Sequence, residues 1–285
     1  MSLYFFAWSA SIFFALEAII AKLISKHSIP NPWLFNFLWA FFILIFTIPI
    51  ALFFGAGFPI YLHYIFFSSI FFALATILNT ISLYKLDISV FIPLFSFRTV
   101  MAVIIGSIFL NEILTTHQYF LIIIIFIFGI FVSIDENFSL SSFFNWNILI
   151  ALACMFCYVI SSVFIKKAVA IEGFWTAMLW IAIFCQFWLL FTIPFFRKSI
   201  SLISSKQYSD IVVLSILGTL GTLTINAAFA KNVSITTAIE SLPLSMFIAF
   251  LFSVFAPELL EKHTLKVYLI RFIAAGVMII AALNL

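Results

Sequence analysis

Charge is what this 285-residue chain has least of: Asp, Glu, Lys and Arg together make up 8% of it. An ordinary water-soluble globule of that length needs far more polar surface to be solvated, so such a fold is excluded. No polar stretch is long enough to fold as a separate soluble domain. The net charge of +3 is small and spread over short connectors, which excludes a nucleic-acid footprint. Cysteine is scarce too. Cys154, Cys157 and Cys185 all lie in apolar runs, and no second ligand pair accompanies the Cys154-x-x-Cys157 spacing. They read as small buried hydrophobes. No Gly-x-Ser-x-Gly elbow, His-Glu-x-x-His pair or Asp-rich metal motif occurs, so an intramembrane enzyme would lack its usual signature. The first apolar run has no basic segment before it and no small-residue cleavage site, and reads as a retained span.

What the chain has instead is 66% hydrophobic residues and a mean hydropathy of +1.32. The apolar residues fall into ten runs of about 20 residues, the length that crosses a bilayer as helix. The first five are Leu3 to Leu23, Trp33 to Phe54, Leu62 to Tyr84, Ser89 to Leu110 and Thr116 to Ile134. The second five are Trp146 to Ile165, Phe174 to Phe196, Ile211 to Ala230, Ile235 to Ala256 and Leu265 to Leu283. The expectation is an all-α, multi-pass protein of ten transmembrane helices. Connectors are short; the longest, Arg197 to Asp210, has room for a short interfacial helix.

A repeat links the two halves. Asn79, Tyr84-Lys85, Ser89 and Glu112 to His117 recur in order as Asn226, Phe229 to Lys231, Ser234 and Glu258 to His263. Repeats of five spans lie in opposite orientations, because five is odd. The chain is therefore expected to form two inverted five-helix repeats, residues 1–137 and 138–285. Inverted repeats recur in secondary transporters, with the substrate site near the midplane between them.

Ionisable groups inside spans are costly unless paired or facing a water-filled path, so they mark a candidate site. Glu17 lies mid-way along the first span, and reads as a substrate-amine or proton site or as a structural partner of a cation. Glu240 stands three residues before Pro243, where a missing N–H leaves the helix irregular; irregular backbone at membrane depth lines cavities. Arg98 is a planar fork suited to a substrate carboxylate or phosphate, or a permanent counter-ion of Glu17 or Glu240. Arg271 is read as structural. Asn79 and Asn226 take matching places in the two halves, for interhelical bonds or for the site. Trp39, Tyr84, Tyr158 and Trp180 are candidate cavity walls. Glu112 sits at a span end, and Thr115 with Gln118 has capping-box spacing, so turn structure is the reading there. His117 lacks clustered ligands, and no metal or cofactor is expected.

Several of these residues resemble the ten-helix EamA-type branch of the drug/metabolite transporter superfamily, over nearly the full length. Phe14, Glu17 and Lys22 stand where its first span shows an aromatic, a small or polar group and a terminal Lys. Gly106-Ser107-Ile108-Phe109-Leu110-Asn111-Glu112 follows its small-residue run closing in Gly-Glu-Arg-Leu, with Asn111 for the Gly and Ile113 for the Arg. Tyr158 and Lys166-Lys167 match its sixth span. Two departures stand out: Trp39 where the family carries a mid-span Arg, and Arg98, which has no strong counterpart. The resemblance implies a carrier with both termini in the cytoplasm. The Lys and Arg distribution, read by the positive-inside rule, puts them outside; the resemblance is followed.

The resulting expectation is a secondary transporter in the cell inner membrane. Its cargo would be a small polar metabolite (an amino acid, an amino-acid derivative or an organic cation), moved by alternating access with proton coupling at a buried acid. The alternatives are a carrier of nucleotide-type or S-adenosylmethionine-like metabolites, and, behind these, an intramembrane enzyme or a channel. The partners expected are the substrate and the lipid bilayer; monomer and homodimer both stay open.

Overall fold

A computed structural model describes residues 2–86, 91, 94–133, 146–201, 203–255 and 265–285. Ser89, Glu258, His263 and the boundary between the expected repeats lie outside these described residues. No strand occurs among them. The first half contributes α1 (Leu3–His27), α2 (Pro32–Phe53), α3 (Leu62–Lys85), α4 (Phe95–Leu110) and α5 (Thr116–Ser133). The second contributes α6 (Trp146–Glu172), α7 (Phe174–Leu190), α8 (Ser205–Phe229), α9 (Val233–Glu240), α10 (Leu244–Phe255) and α11 (Leu265–Leu283).

Local chemistry sets the helix ends. Asn31 caps α2 by accepting the Trp33 and Leu34 N–H groups, with Pro32 at the first helical position, where its missing N–H costs nothing. Thr115 and Gln118 form the reciprocal capping box foreseen at the start of α5, with bonds of 3.0 and 3.2 Å. Ser204 and Gln207 form another, and it starts α8 at Ser205, earlier than the hydropathy run suggests. Much of the longest connector is therefore helix, preceded by a short helical turn at Arg197–Ile200. Asn111 closes α4 in the left-handed region at φ 50°, and Gly173 turns α6 into α7 at φ 78°. The ninth run is two helices. Pro243 has no N–H for the ladder, and the backbone breaks at Ser241–Pro243 between α9 and α10.

α3 packs against α6 and α1 against α8, the two most extensive contacts, while α5 pairs with α11 and α2 with α7. Further contacts join α3 to α7, α2 to α8, α4 to α6, α4 to α9, and α1 to both α9 and α10. Gln118 at the start of α5 donates to the Leu285 carbonyl at 3.2 Å. Ala7, Leu114 and Leu285 belong to one apolar cluster. Both chain termini thus lie at the end of the bundle that holds the α4–α5 turn.

Among the described residues, six helical segments are long and apolar enough to cross a membrane, and four shorter apolar helices accompany them. The perimeter is greasy: Phe53, Phe58 and Ile113 are 84%, 87% and 93% exposed. Polar groups turn inward, including Glu17, Arg98, Asn226 and Arg271, each buried. That inside-out distribution suits a hydrocarbon surround, since water would leave the perimeter aromatics unpaid for.

Candidate functional site

A cavity of about 150 Å³ lies at the centre of the bundle, walled by side chains from both halves. α1 contributes Ser11, Phe14 and Glu17; α2 Trp39; α3 Asn79; α4 Arg98. From the second half come Tyr158 of α6, Asn226 of α8 and Glu240 at the end of α9. Seven of the nine residues singled out from sequence (Glu17, Trp39, Asn79, Arg98, Tyr158, Asn226 and Glu240) meet here.

Arg98 and Glu240 form an ion pair of 2.7 Å between the two halves, with their side chains 4% and 10% exposed. The Arg98 guanidinium also lies over the Tyr158 ring at 4.9 Å and the Phe229 ring at 5.5 Å. Among the described residues, Arg98 Nε and Glu240 Oε2 have no hydrogen-bond partner, and neither does Ser11 Oγ. The pair is therefore closed in charge but incompletely bonded.

Glu17 is bound differently. The Trp39 indole N–H donates to its Oε1 at 2.6 Å, and no cation pairs with it among the described residues. Glycine at position 218 makes this contact possible: a Cβ there would lie 2.8 Å from Glu17 Oε1 and 2.9 Å from Trp39 Nε1. Trp39 thus supplies a neutral donor to the acid. Asn226 reaches Met178 of α7 through its amide at 3.0 Å, an interhelical contact at the cavity wall.

Two sequence candidates are not at the cavity. Tyr84 points its hydroxyl to the Ile29 carbonyl and packs on Phe35, anchoring the α1–α2 connector instead. Trp180 donates to the Gly57 carbonyl at 2.9 Å beside Phe58, at the bundle's edge. A long aromatic with one polar atom satisfies that atom wherever a carbonyl is within reach, and here both found loops. Sequence reading passed over Ser11 and the Phe14 and Phe229 walls. In a chain with 41 phenylalanines, no signal separates a wall from ordinary packing.

Outside the cavity, Glu112 accepts four hydrogen bonds: from Lys166 Nζ at 2.7 Å, Val233 N at 2.7 Å, Ser234 N at 3.0 Å and Ser234 Oγ at 2.7 Å. Burial alone would raise its pKa; these donors outweigh burial and hold the carboxyl below its usual 4.5. Glu112 thus caps the N-terminus of α9 across the halves, where its sequence position suggested a role within its own turn.

These features define a helical bundle of membrane type around a largely apolar cavity into which a few polar and charged side chains converge. No family model matches the chain, and no curated protein matches it. A solved structure described as "Crystal structure of protein" is similar to it with a TM-score of 0.63, over 97% of this chain and 98% of that one. Identity between the two is 12%, so the likeness is one of fold.

Proposed function

We propose that this protein is a secondary carrier of a small polar metabolite, a zwitterion or organic cation such as an amino acid or its derivative. It works by alternating access in the cell inner membrane, in the manner of the EamA-type carriers its motifs resemble. The observation that carries the reading is the central cavity: one acid without a counter-ion among the described residues, beside a neutralised Arg98–Glu240 pair and aromatic faces. With Glu17 ionised, the three charged side chains of that lining sum to one negative charge. The complement is a ligand bearing an ammonium or sulfonium, which the aromatic faces also favour. Glu17 can exchange that cation for a proton, which is the simplest form of coupling.

Packing supports two inverted halves. Exchanging them maps α1 to α5 onto α6, α7, α8, α9–α10 and α11 in turn. The α3–α6 contact then becomes α8–α1, and α3–α7 becomes α8–α2, while α2–α7 and α5–α11 map onto themselves. A bundle built this way has two arrangements of similar energy, open to opposite sides. A nucleotide-type or S-adenosylmethionine-like cargo is the second reading, favoured by the aromatic lining. A carrier is preferred to an enzyme or channel because the charged groups line a cavity walled by both exchangeable halves.

The test begins with thermal-shift screening of organic cations and zwitterions on purified protein, since a ligand of the folded state raises its apparent stability. A hit is then followed by counterflow in proteoliposomes. Carrier action gives faster uptake of labelled ligand when unlabelled ligand is present inside. Glu17→Gln keeps an acceptor for Trp39, and so is expected to stay folded while binding falls at least tenfold (about 1.4 kcal/mol). Uptake indifferent to trans ligand, or normal binding by Glu17→Gln, would refute the reading.

A further inference from the structure

Two lysines bracket the cavity, one beyond each end. Ala21 lines the cavity, and its neighbour Lys22 donates to the carbonyls of Leu83 at 2.9 Å and Leu86 at 2.8 Å, where α3 ends. Ile165 lines the cavity toward the end holding the termini. Its neighbour Lys166 donates to the Lys231 carbonyl at 3.1 Å, just beyond the end of α8. α1 and α6 exchange under the repeat, as do α3 and α8, so one device occurs twice, pointing to opposite ends. In each case an ammonium on the first helix of a half is seated on the terminal carbonyls of the third helix. Cations are favoured there by the unpaired carbonyls and the helix dipole.

We infer that Lys22 and Lys166 are the two end latches of the cavity, and that Glu112 locks the latch at the terminal end. Glu112 joins Lys166 of α6 to the first N–H groups of α9, and so ties the α4–α5 turn to two elements of the other half. Phe229 lines the cavity two residues before the carbonyl that Lys166 holds. Movement of α6 away from the end of α8 would open the cavity wall at that level, and it requires the Lys166 contacts to break. The approach is tight: a Cβ at Gly106 would lie 2.8 Å from Ser234 Oγ and 3.0 Å from Glu112 Oε2. The latch is therefore seated against backbone, with no side-chain cushion. Since the two halves exchange, seating one latch and releasing the other is what converts one open side into the opposite one. The inference rests on the alternating-access reading, and the experiment separates the two.

The experiment needs no substrate. A thiol is placed at Ser11, which lines the cavity with no hydrogen-bond partner for its hydroxyl among the described residues, in a background with Cys154, Cys157 and Cys185 replaced by Ala. A membrane-impermeant maleimide is applied from each side of oriented proteoliposomes. Labelling from both sides is expected, and labelling from one side only overturns alternating access and this inference with it. In the Lys166→Met variant, labelling from the terminal end should rise about tenfold and labelling from the other end should fall. Lys22→Met should bias the rates the opposite way. Glu112→Gln should act like Lys166→Met, but it also weakens the α9 cap. Lys166→Met leaves the Val233 and Ser234 bonds in place and is the cleaner variant. Unchanged rates from both ends, or the two lysine variants shifting in the same direction, overturn the latches alone. Failure of Lys166→Met to fold would make Lys166 a structural residue and would also overturn them.

Discussion

At the scale of single residues, the site turns on which acid Arg98 serves. Its sequence position allowed a bond to a substrate carboxylate or a partnership with Glu17 or Glu240, and the fold gives it Glu240 at 2.7 Å. A guanidinium already neutralised by a carboxylate is a poor clamp for a second one, so under the proposed carrier function recognition falls to Glu17, which pairs with no cation among the described residues. Removing one member of a buried pair strands the other's charge, which costs about 3–5 kcal/mol, whereas replacing both is close to neutral. Arg98→Gln is therefore expected to lower the melting temperature sharply, and Arg98→Gln with Glu240→Gln to recover most of the loss. Pairing Arg98→Gln with Glu17→Gln should recover nothing. Thermal melts of the four proteins in one detergent decide the matter; rescue by Glu17→Gln would mean that Arg98 also serves Glu17.

At the scale of elements, the Glu112 turn ties α4, α6 and α9 together through one carboxylate. Its folded pKa lies below the usual 4.5, so the stability it contributes is fully present above that pH. That stability is lost as pH falls through the folded value. Wild type should lose melting temperature below about pH 4.5, while Glu112→Gln starts lower and shows a shallower loss over the same interval. Parallel pH–melting curves for the two would count against the assignment. How much could be read from sequence also sorts by element. The Thr115–Gln118 cap and the break before Pro243 were legible, because both follow from chemistry within a few residues. The Trp39–Glu17 bond spans 22 positions and depends on how α1 and α2 meet at Gly218, which no local pattern records. Tyr84 and Trp180 were misplaced for a related reason. In a chain that is 20% aromatic, residue type alone does not say which ring faces a cavity.

At the scale of the whole molecule, the fold places both termini at one end, next to the α4–α5 turn. That end carries Lys166, Lys167 and Lys231, while the opposite end carries Lys26, Lys85, Arg197, Lys198 and Lys206. Lys22 and Lys166 are seated on helix-end carbonyls, so they report on structure more than on the loop bias that sets orientation. An even number of crossings is the only topology that returns the chain to its starting side. Single cysteines at Ser2 and Asn284, in the background lacking the three native thiols, should thus react with an impermeant maleimide from the same face of sealed vesicles. The resemblance to EamA-type carriers makes that face cytoplasmic, and the lysine and arginine excess at the far end makes it external. The same labelling decides between them. Reaction of the two thiols from opposite faces would overturn the even crossing number. It would also overturn the pairing of inverted halves on which the exchange of α1–α8 with α6–α3 depends, because five helices per half always sum to a return.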